Sequence, residues 1–598
     1  MKHLFFVVAF FSCCHLLFAD KRTTTIIIPH SLGINAAREL AGWQNIVNIS
    51  SAEEPCRVFA INPEVTLSFR PERIAQCFFG DAIVECKNIL TISGSQSPDR
   101  TRREWLADYF GLPTDFKSCV EFQPRVSNVL IDFDTFIGLD KYASGLYIRA
   151  HIPVAYTRWD LGMCESLVTT GSNAHDAGYF NATGIPHSQL VHCFTDFING
   201  TDTPKATGLT FNKLAHAKMN CSAQRLVKIS DIQLAIGWNA LHNPRYHVGG
   251  NLRITIPTGN RPTGEFLFEP IIGNGHHWEV GGGLSAHIVL WENEDTQEHA
   301  GIYFDCNITH MFSNWQQRSF DLCNKSFNSC YMLAEQMTSD IQQKLRGNVD
   351  GELIEPIAQY NQEVTTVANL TTLPITVSVG VQADLALLIS YTKEKNSWGF
   401  GYGFWGRSCE KICLCGLTPF DLGSWALKGD AMVFGFEENM INTPVALSAT
   451  QSNATIHNGL DFERTGAATP AQVSIGQQNL NVDNAAPAFA DSNDVGIFSM
   501  LQSTPGGPDQ IRTSIQPILL TTDDIDLTSA QTRGHANKVF SHFTHIVDHE
   551  LQPYLSLGAE IEFGQNAECN NAIKAGCIPC VNTALSFWGV WIKSGIVF

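Results

Sequence analysis

The stretch ITVSVGVQADLALLISYTKEKNSWGFGYGFW, residues 375–405, decides the fold class. Val377, Val379, Val381, Ala383, Leu385, Leu387 and Ile389 fall on one face, and Thr376, Ser378, Gly380, Gln382, Asp384 and Ser390 on the other. Successive side chains of a strand point to opposite sides, so period-two alternation marks a sheet with one apolar and one polar face. The polar turn TKEKNS leads into Trp398, Phe400, Tyr402 and Phe404, which alternate with Gly399, Gly401 and Gly403. The two arms form a hairpin with a continuous apolar and aromatic face. A strand needs only about 9–11 residues to cross a bilayer, so the longer first arm is expected to project beyond one.

The same rhythm recurs on both sides of this hairpin. Ile232, Leu234, Ile236 and Trp238 oppose Asp231, Gln233 and Asn239. Val129, Ile131 and Phe133 alternate with Asp132 and Asp134; after a turn at 141–145, Leu146, Ile148, Ile152 and Val154 alternate with Arg149 and His151. Leu252, Ile254 and Ile256 oppose Arg253. Val280, Leu284, Ile288 and Leu290 oppose Glu279, and Ile302, Phe304 and Ile308 oppose Asp305. Leu555, Leu557, Ile561 and Phe563 oppose Glu560 and Glu562, and a last strand ends at Phe598. Roughly 12–14 strands follow, an even-numbered closed barrel being the natural arrangement. Pro153 lacks an N–H for the ladder and is expected at a bulge. Cys306, on an apolar face, reads as a small hydrophobe. Helical spacing is confined to 35–43, 104–110 and 332–345, the last through Leu333, Met337, Ile341 and Leu345; residues 443–508 read as a long polar loop.

Alternation alone does not separate a membrane barrel from a soluble sandwich. Three features favour the barrel. The polar faces are rich in Gly, Ser, Thr, Asn and Gln, as a wet lumen requires. Trp159, Trp238, Trp278, Trp291, Trp398, Trp405, Trp588 and Trp591 lie near strand ends, the place of interfacial girdles. Finally, Val590, Ile592, Ile596 and Phe598 share one face of the last strand. That terminus resembles the C-terminal strand of bacterial outer-membrane β-barrel proteins, in which a final aromatic closes an apolar row read by the assembly machinery. The resemblance implies an all-β, closed antiparallel up-and-down transmembrane barrel, porin-like and in contact with membrane lipid, with no particular family singled out. The opening MKHLFFVVAFFSCCHLLFAD has a lysine, an apolar run and small Ala19, the layout of a secretory signal peptide. The expected organisation is a signal at 1–19, an N-terminal segment at 20–64 serving as plug or periplasmic part, and a barrel at 65–598.

A net charge of -19 argues against nucleic acid, whose phosphates need Lys and Arg. Export makes disulfides the default for the clusters Cys323/Cys330, Cys409/Cys413/Cys415 and Cys569/Cys577/Cys580; zinc on the CEKICLC and CIPC spacings is the lesser reading. No nucleophile elbow, phosphate loop or HExxH occurs. His542, His545 and His549 read as solvent-exposed, and neither cofactor, metal nor enzymatic activity is expected. If polar faces point inward, Asp132, Asp134, Arg149, Asp231, Arg253, Glu279, Asp305, Asp384, Glu560 and Glu562 line the pore. Acids dominate that set, which predicts a weak cation preference. The leading expectation is a passive pore for small solutes. A plugged structural or adhesive barrel acting through its loops is the second, and a soluble secreted glycoprotein, from sequons including Asn48, Asn181, Asn307 and Asn369, is the third.

Overall fold

Twelve antiparallel strands pair in chain order, and the last closes on the first. They are β1 (Arg57–Ser68), β2 (Arg125–Gly138), β3 (Leu146–Asp160), β4 (Ile232–Asn243), β5 (Tyr246–Ile256) and β6 (Glu279–Asn293). There follow β7 (Glu298–Arg318), β8 (Leu373–Lys393), β9 (Asn396–Arg407), β10 (Thr532–Ile546), β11 (Tyr554–Phe563) and β12 (Phe587–Val597). Closure is made by β1, which pairs with β12 from Val58↔Val597 to Ser68↔Phe587 and with β2 along its length. The computed structural model describes residues 23–50, 57–84, 88–101, 103–338, 358–416, 420, 424–429, 431, 433–437, 440–446, 450, 454–457, 517–564 and 580–598. The expected signal peptide and most of the 443–508 loop lie outside these residues. The barrel begins at Arg57, so the division expected at 64/65 falls inside β1.

The two ends of the barrel differ. At one end the connections are the short turns 139–145, 244–245, 294–297, 394–395 and 547–553, with Arg57 and Phe598 beside them. At the other end run the long connections 69–124, 161–231, 257–278, 319–372, 408–531 and 564–586. All six contribute to one apolar core, through Trp105, Phe194, Phe268, Tyr331, Leu427 and Leu585 among others. The long connections thus fold together into a cap. It contains a sheet of Ile83–Val84, Ile89–Ser93, Lys117–Glu121 and Cys164–Thr169, and a second of Trp425–Leu427, Leu333–Met337, Tyr360–Thr366 and Thr210–Phe211. A disulfide, Cys409–Cys580, ties two of the connections.

The outer wall is apolar all round. Ile61, Val129, Ile152, Ile236, Leu252, Leu284, Ile308, Leu387, Phe400, Val539, Leu557 and Val590, one from each strand, are exposed. Cys306 is a free thiol on this wall. Exposed tryptophans form two levels: Trp238, Trp291 and Trp398 toward the short turns, and Trp278, Trp315 and Trp588 toward the cap. The girdle expected from sequence is corrected here. Trp159, Trp405 and Trp591 are each only 2% exposed, because they pack inside the cap or the lumen, while Trp315 joins the outer set.

Three further expectations change. The face of β8 is not continuous: Val377 and Val379 are buried toward the cap core, whereas Val381, Leu387 and Ile389 face outward. The pairing with β7 passes from Met311↔Val379 to Thr309↔Gln382, so β8 carries an extra residue beside Gly380, and that bulge reverses the alternation. Pro153 does not break its ladder with β2, which runs through Asp132↔Pro153 without a shift. The bulge sits in the opposite neighbour, where Ile229↔Val154 gives way to Gln233↔His151 and the Ser230 N–H donates to the Pro153 carbonyl at 2.8 Å. Leu333–Met337 is a strand rather than the start of a helix, since flanking strands on both sides override its 3.6-residue spacing; 339–345 lie outside the described residues.

Candidate functional site

The lumen is occupied by the chain's own segment 23–50. At the cap end the Thr24 N–H donates to the Cys77 carbonyl and the Thr25 N–H to that of Ser529. Ala36–Leu40 then forms one short helix, its Asn35 side chain capping the Arg38 N–H. Ala36, Ala37 and Ala41 are small enough to pack against Tyr303, Ala386, Leu388, Phe540 and Trp591 of the inner wall. Trp43 and Ile46 reach the short-turn end among Val58, Tyr147, Tyr554 and Val597. Segment 23–50 therefore spans the lumen from one end to the other.

All ten residues expected to line a pore face this interior. Nine are buried and Arg149 is nearly so. They do not face a water column; they grip the segment or one another. Arg38 pairs with Glu64 and, at 3.3 Å, with Asp132. Glu39 meets Arg253 at 3.3 Å, His151 at 3.7 Å and Arg149 at 3.8 Å, and Arg149 continues to Asp305 at 3.5 Å. The Ala36 N–H donates to Asp384 at 2.6 Å, Asn35 Nδ2 to Glu560 at 3.2 Å, and His30 pairs with Glu562 at 3.3 Å. Ser31 Oγ donates to Asp231 at 3.2 Å. Three of the ten are held by wall and cap residues alone: Asp134 by His151 and Lys593, Asp305 by Arg149, and Glu279, which accepts from Asn274 at 2.6 Å and Thr309 at 2.9 Å.

Several anchors escaped the sequence reading. Lys593 Nζ donates to the Arg38 and Glu39 carbonyls at 3.2 and 3.1 Å and lies 4.1 Å from the centre of the Trp43 ring. Lys538 bridges Glu560 and Glu562 at 2.9 and 3.1 Å. Trp43 Nε1 donates to the Tyr554 hydroxyl at 2.6 Å. One signal was present in the sequence: Arg38 and Glu39 are the only Asp, Glu, Lys or Arg residues between 23 and 50, and an isolated pair of opposite charges in an apolar stretch asks for buried partners.

Buried charges survive only when paired and hydrogen-bonded; here Arg38, Glu39, Arg149, Arg253, Lys538 and Lys593 lie in ion pairs, while Asp231, Glu279 and Asp384 are held by neutral donors. Asp132, Asp134 and His151 bring ligand atoms within 4.8 Å of one another, the spacing of a small cation site. Arg38 on Asp132 and Lys593 on Asp134, at 3.5 Å, already supply the positive charge, so the trio is part of the ion-pair network. Among the described residues the cavities beside the segment are small. A cavity beside Glu39, Trp43, Arg149 and Asp305 has about 30 Å³, and one among Arg253, Glu279, Gln382 and Asp384 about 10 Å³. Each has room for about one water molecule. The histidine triplet is dispersed along β10 and its turn: His542 is buried in the lumen, contrary to the exposed reading, because the strand sends alternate residues inward, while His545 faces out. Asn181 and Asn307 are buried, which closes those two sequons to a glycan.

No protein-family model matches the chain, and no curated protein matches it. Among solved structures, an outer membrane channel from Pseudomonas putida F1 overlays with a TM-score of 0.30 at 8% identity, covering 91% of this chain and 96% of that one. A FadL homologue from Pseudomonas aeruginosa gives 0.27 at 6% identity, covering 96% and 99%. The transport unit of the autotransporter AIDA-I from Escherichia coli gives 0.24 at 6% identity, covering 94% and 95%. The architecture described above rests on the strand pairing of this chain and not on these overlays.

Proposed function

We propose that the protein is an outer-membrane barrel held closed by its own segment 23–50. In this reading its cap faces outward and small solutes cross only when the segment is displaced. Support for the membrane comes from an apolar wall of twelve strands bordered by two tryptophan levels. Support for the orientation comes from short turns at one end and long connections at the other, the pattern of outer-membrane barrels with periplasmic turns and external loops. Export by the leader at 1–19, and assembly through the row Val590, Ile592, Ile596 and Phe598, which lies on the outer face of β12, belong to the same reading. The role is one of passage and surface contact rather than catalysis.

The single observation that carries the proposal is the anchored segment in the lumen. Planar-bilayer recordings test it: the intact protein is expected to be nearly silent, and a variant lacking 23–50 to conduct. Steady large conductance from the intact protein would restore the open passive pore and overturn the closed reading. The emptied lumen would keep Glu64 and eight of the ten expected residues as acids against Arg149, Arg253, Lys538 and Lys593. Reversal potentials under a salt gradient should therefore show cation preference, and anion preference would remove that part of the proposal.

A further inference from the structure

On the outer face at the cap-side rim, arginines stand where alternation elsewhere places apolar residues. Arg158 of β3 and Arg225 of the strand Gln224–Ile229 are direct partners across an antiparallel ladder, and Arg125 of β2 lies on the next strand at the same level, opposite Asp160. Like charges directly opposite one another on a ladder repel. Arg158 is relieved in part by Asp160 at 2.9 Å, and Arg125 donates to Gln123 at 3.2 Å; Arg225 has no ion pair among the described residues. Glu121 and Asp160 share a cleft of about 360 Å³ with Arg125, so the patch is not free of acid, while Arg158 and Arg225 lie outside that cleft and Arg225 faces Arg158 directly. All three arginines are exposed. The row continues around the same rim through Arg261, whose guanidinium lies 4.4 Å from the centre of the Trp315 ring, and exposed Lys411 opposite Ser378. At the short-turn rim Arg245 pairs with Glu292 at 2.9 Å, Lys393 with Glu298 at 2.8 Å and Lys395 with Asp548 at 2.7 Å, while exposed Lys141 and Arg57 have no ion pair among the described residues but do not stand opposite another base.

The position of the patch is as informative as its charge. Arg225 stands two residues beyond exposed Val227, and Arg125 four beyond exposed Val129, so the cations sit at the upper edge of the apolar wall. We infer that Arg125, Arg158 and Arg225 form a site for the phosphate-bearing headgroup of an anionic lipid whose acyl chains lie on the apolar wall below. Guanidinium groups match phosphate oxygens in pairs, and continuity with the apolar face selects a lipid over a free anion. The inference rests on the membrane reading proposed above.

The test is native mass spectrometry of the full chain released from nanodiscs that contain phosphatidylcholine with or without phosphatidic acid. The expected result is retention of phosphatidic acid roughly tenfold tighter than phosphatidylcholine, with that preference lost in the double variant R158Q/R225Q. Inorganic phosphate at millimolar concentration is expected not to displace the lipid. Equal retention of the two lipids, or an unchanged preference in the double variant, overturns the site. Displacement by inorganic phosphate overturns the lipid as its occupant. Heat-modifiable migration of each protein on a denaturing gel reports folding separately. A protein that inserts and migrates as a barrel without lipid preference sinks this inference alone, whereas one that stays in aqueous solution without detergent sinks the membrane reading with it.

Discussion

Arg38 is the residue on which the closed lumen turns. Its guanidinium satisfies Glu64 and Asp132, both almost fully buried, and donates to the Leu32 carbonyl at 3.1 Å. Arg38→Ala would leave two carboxylates without their main partner in a low-dielectric interior, which costs about 3–5 kcal/mol. The expected outcome is a lower thermal midpoint in detergent and easier protease access to segment 23–50; an unchanged midpoint would refute the anchoring role. Glu410, in the cap, offers a second test. Burial alone would raise its carboxyl, but Arg318, bonded to it at 2.6 and 3.0 Å, then Arg407 and the Thr532 N–H outweigh burial and hold it at about 2. A depressed acid stabilises the fold above its unfolded value and loses that contribution as pH falls through the folded one. Cap stability should therefore drop by on the order of 3 kcal/mol between about pH 4.5 and pH 2, and Glu410→Gln should flatten that part of the unfolding profile. At this scale the sequence told which side of each strand a charge occupies, because alternation depends only on neighbours. It did not tell that Glu39 meets Arg253 or that Asn35 meets Glu560, since those partners are far apart along the chain and meet only once the barrel has closed.

At the scale of the element, regular alternation was legible and its interruptions were not. The arms of β4 to β7 and of β11 follow the pattern read from sequence. The reversal in β8 was hidden, because residues on both sides of the bulge are apolar and only pairing with β7 exposes the extra residue. The glycines of β9 show what alternation can mean inside a barrel. Gly399 and Gly401 face inward, where a Cβ would collide with His542 and Phe540 of β10. Bulk is thus excluded from β9 so that β10 can fill the lumen beside the helix Ala36–Leu40. Gly401→Val should displace Phe540 from the packing around that helix, with overpacking costs of about 1–3 kcal/mol, read as loss of heat-resistant migration. The opposite face gives a complementary prediction. Leu284 of β6 is 60% exposed in the middle of the apolar wall, and an arginine there should cost about 2–4 kcal/mol if lipid covers it. Leu284→Arg without effect on folding into bilayers would mean that water, not lipid, meets this wall.

On the scale of the whole molecule, one asymmetry organises the rest. Strands joined by short turns can vary little at that end, so the inserts that carry individuality gather at the other end, and there they share a single core. Sequence separations set the hairpins and hence the meander, and a plug from the segment before Val65 was among the expectations, but nothing local announced that six long inserts would pack into one cap or that segment 23–50 would meet that cap at Ser529. The segment is held at both ends, by cap backbone at Thr24 and Thr25 and by Trp43 and Ile46 at the turn end, so its release requires loosening of the cap as well as of the ion pairs. Orientation is then the property with the widest consequence, because it decides which compartment can act on the cap. An epitope placed in the turn 294–297 should be reached by antibody only after the membrane is permeabilised, and one placed at the exposed cap turn Thr207–Gly208 should be reached on intact cells. The inverse pattern would put the cap inside, and any signal that loosens the segment would then have to come from within the cell envelope rather than from its surroundings.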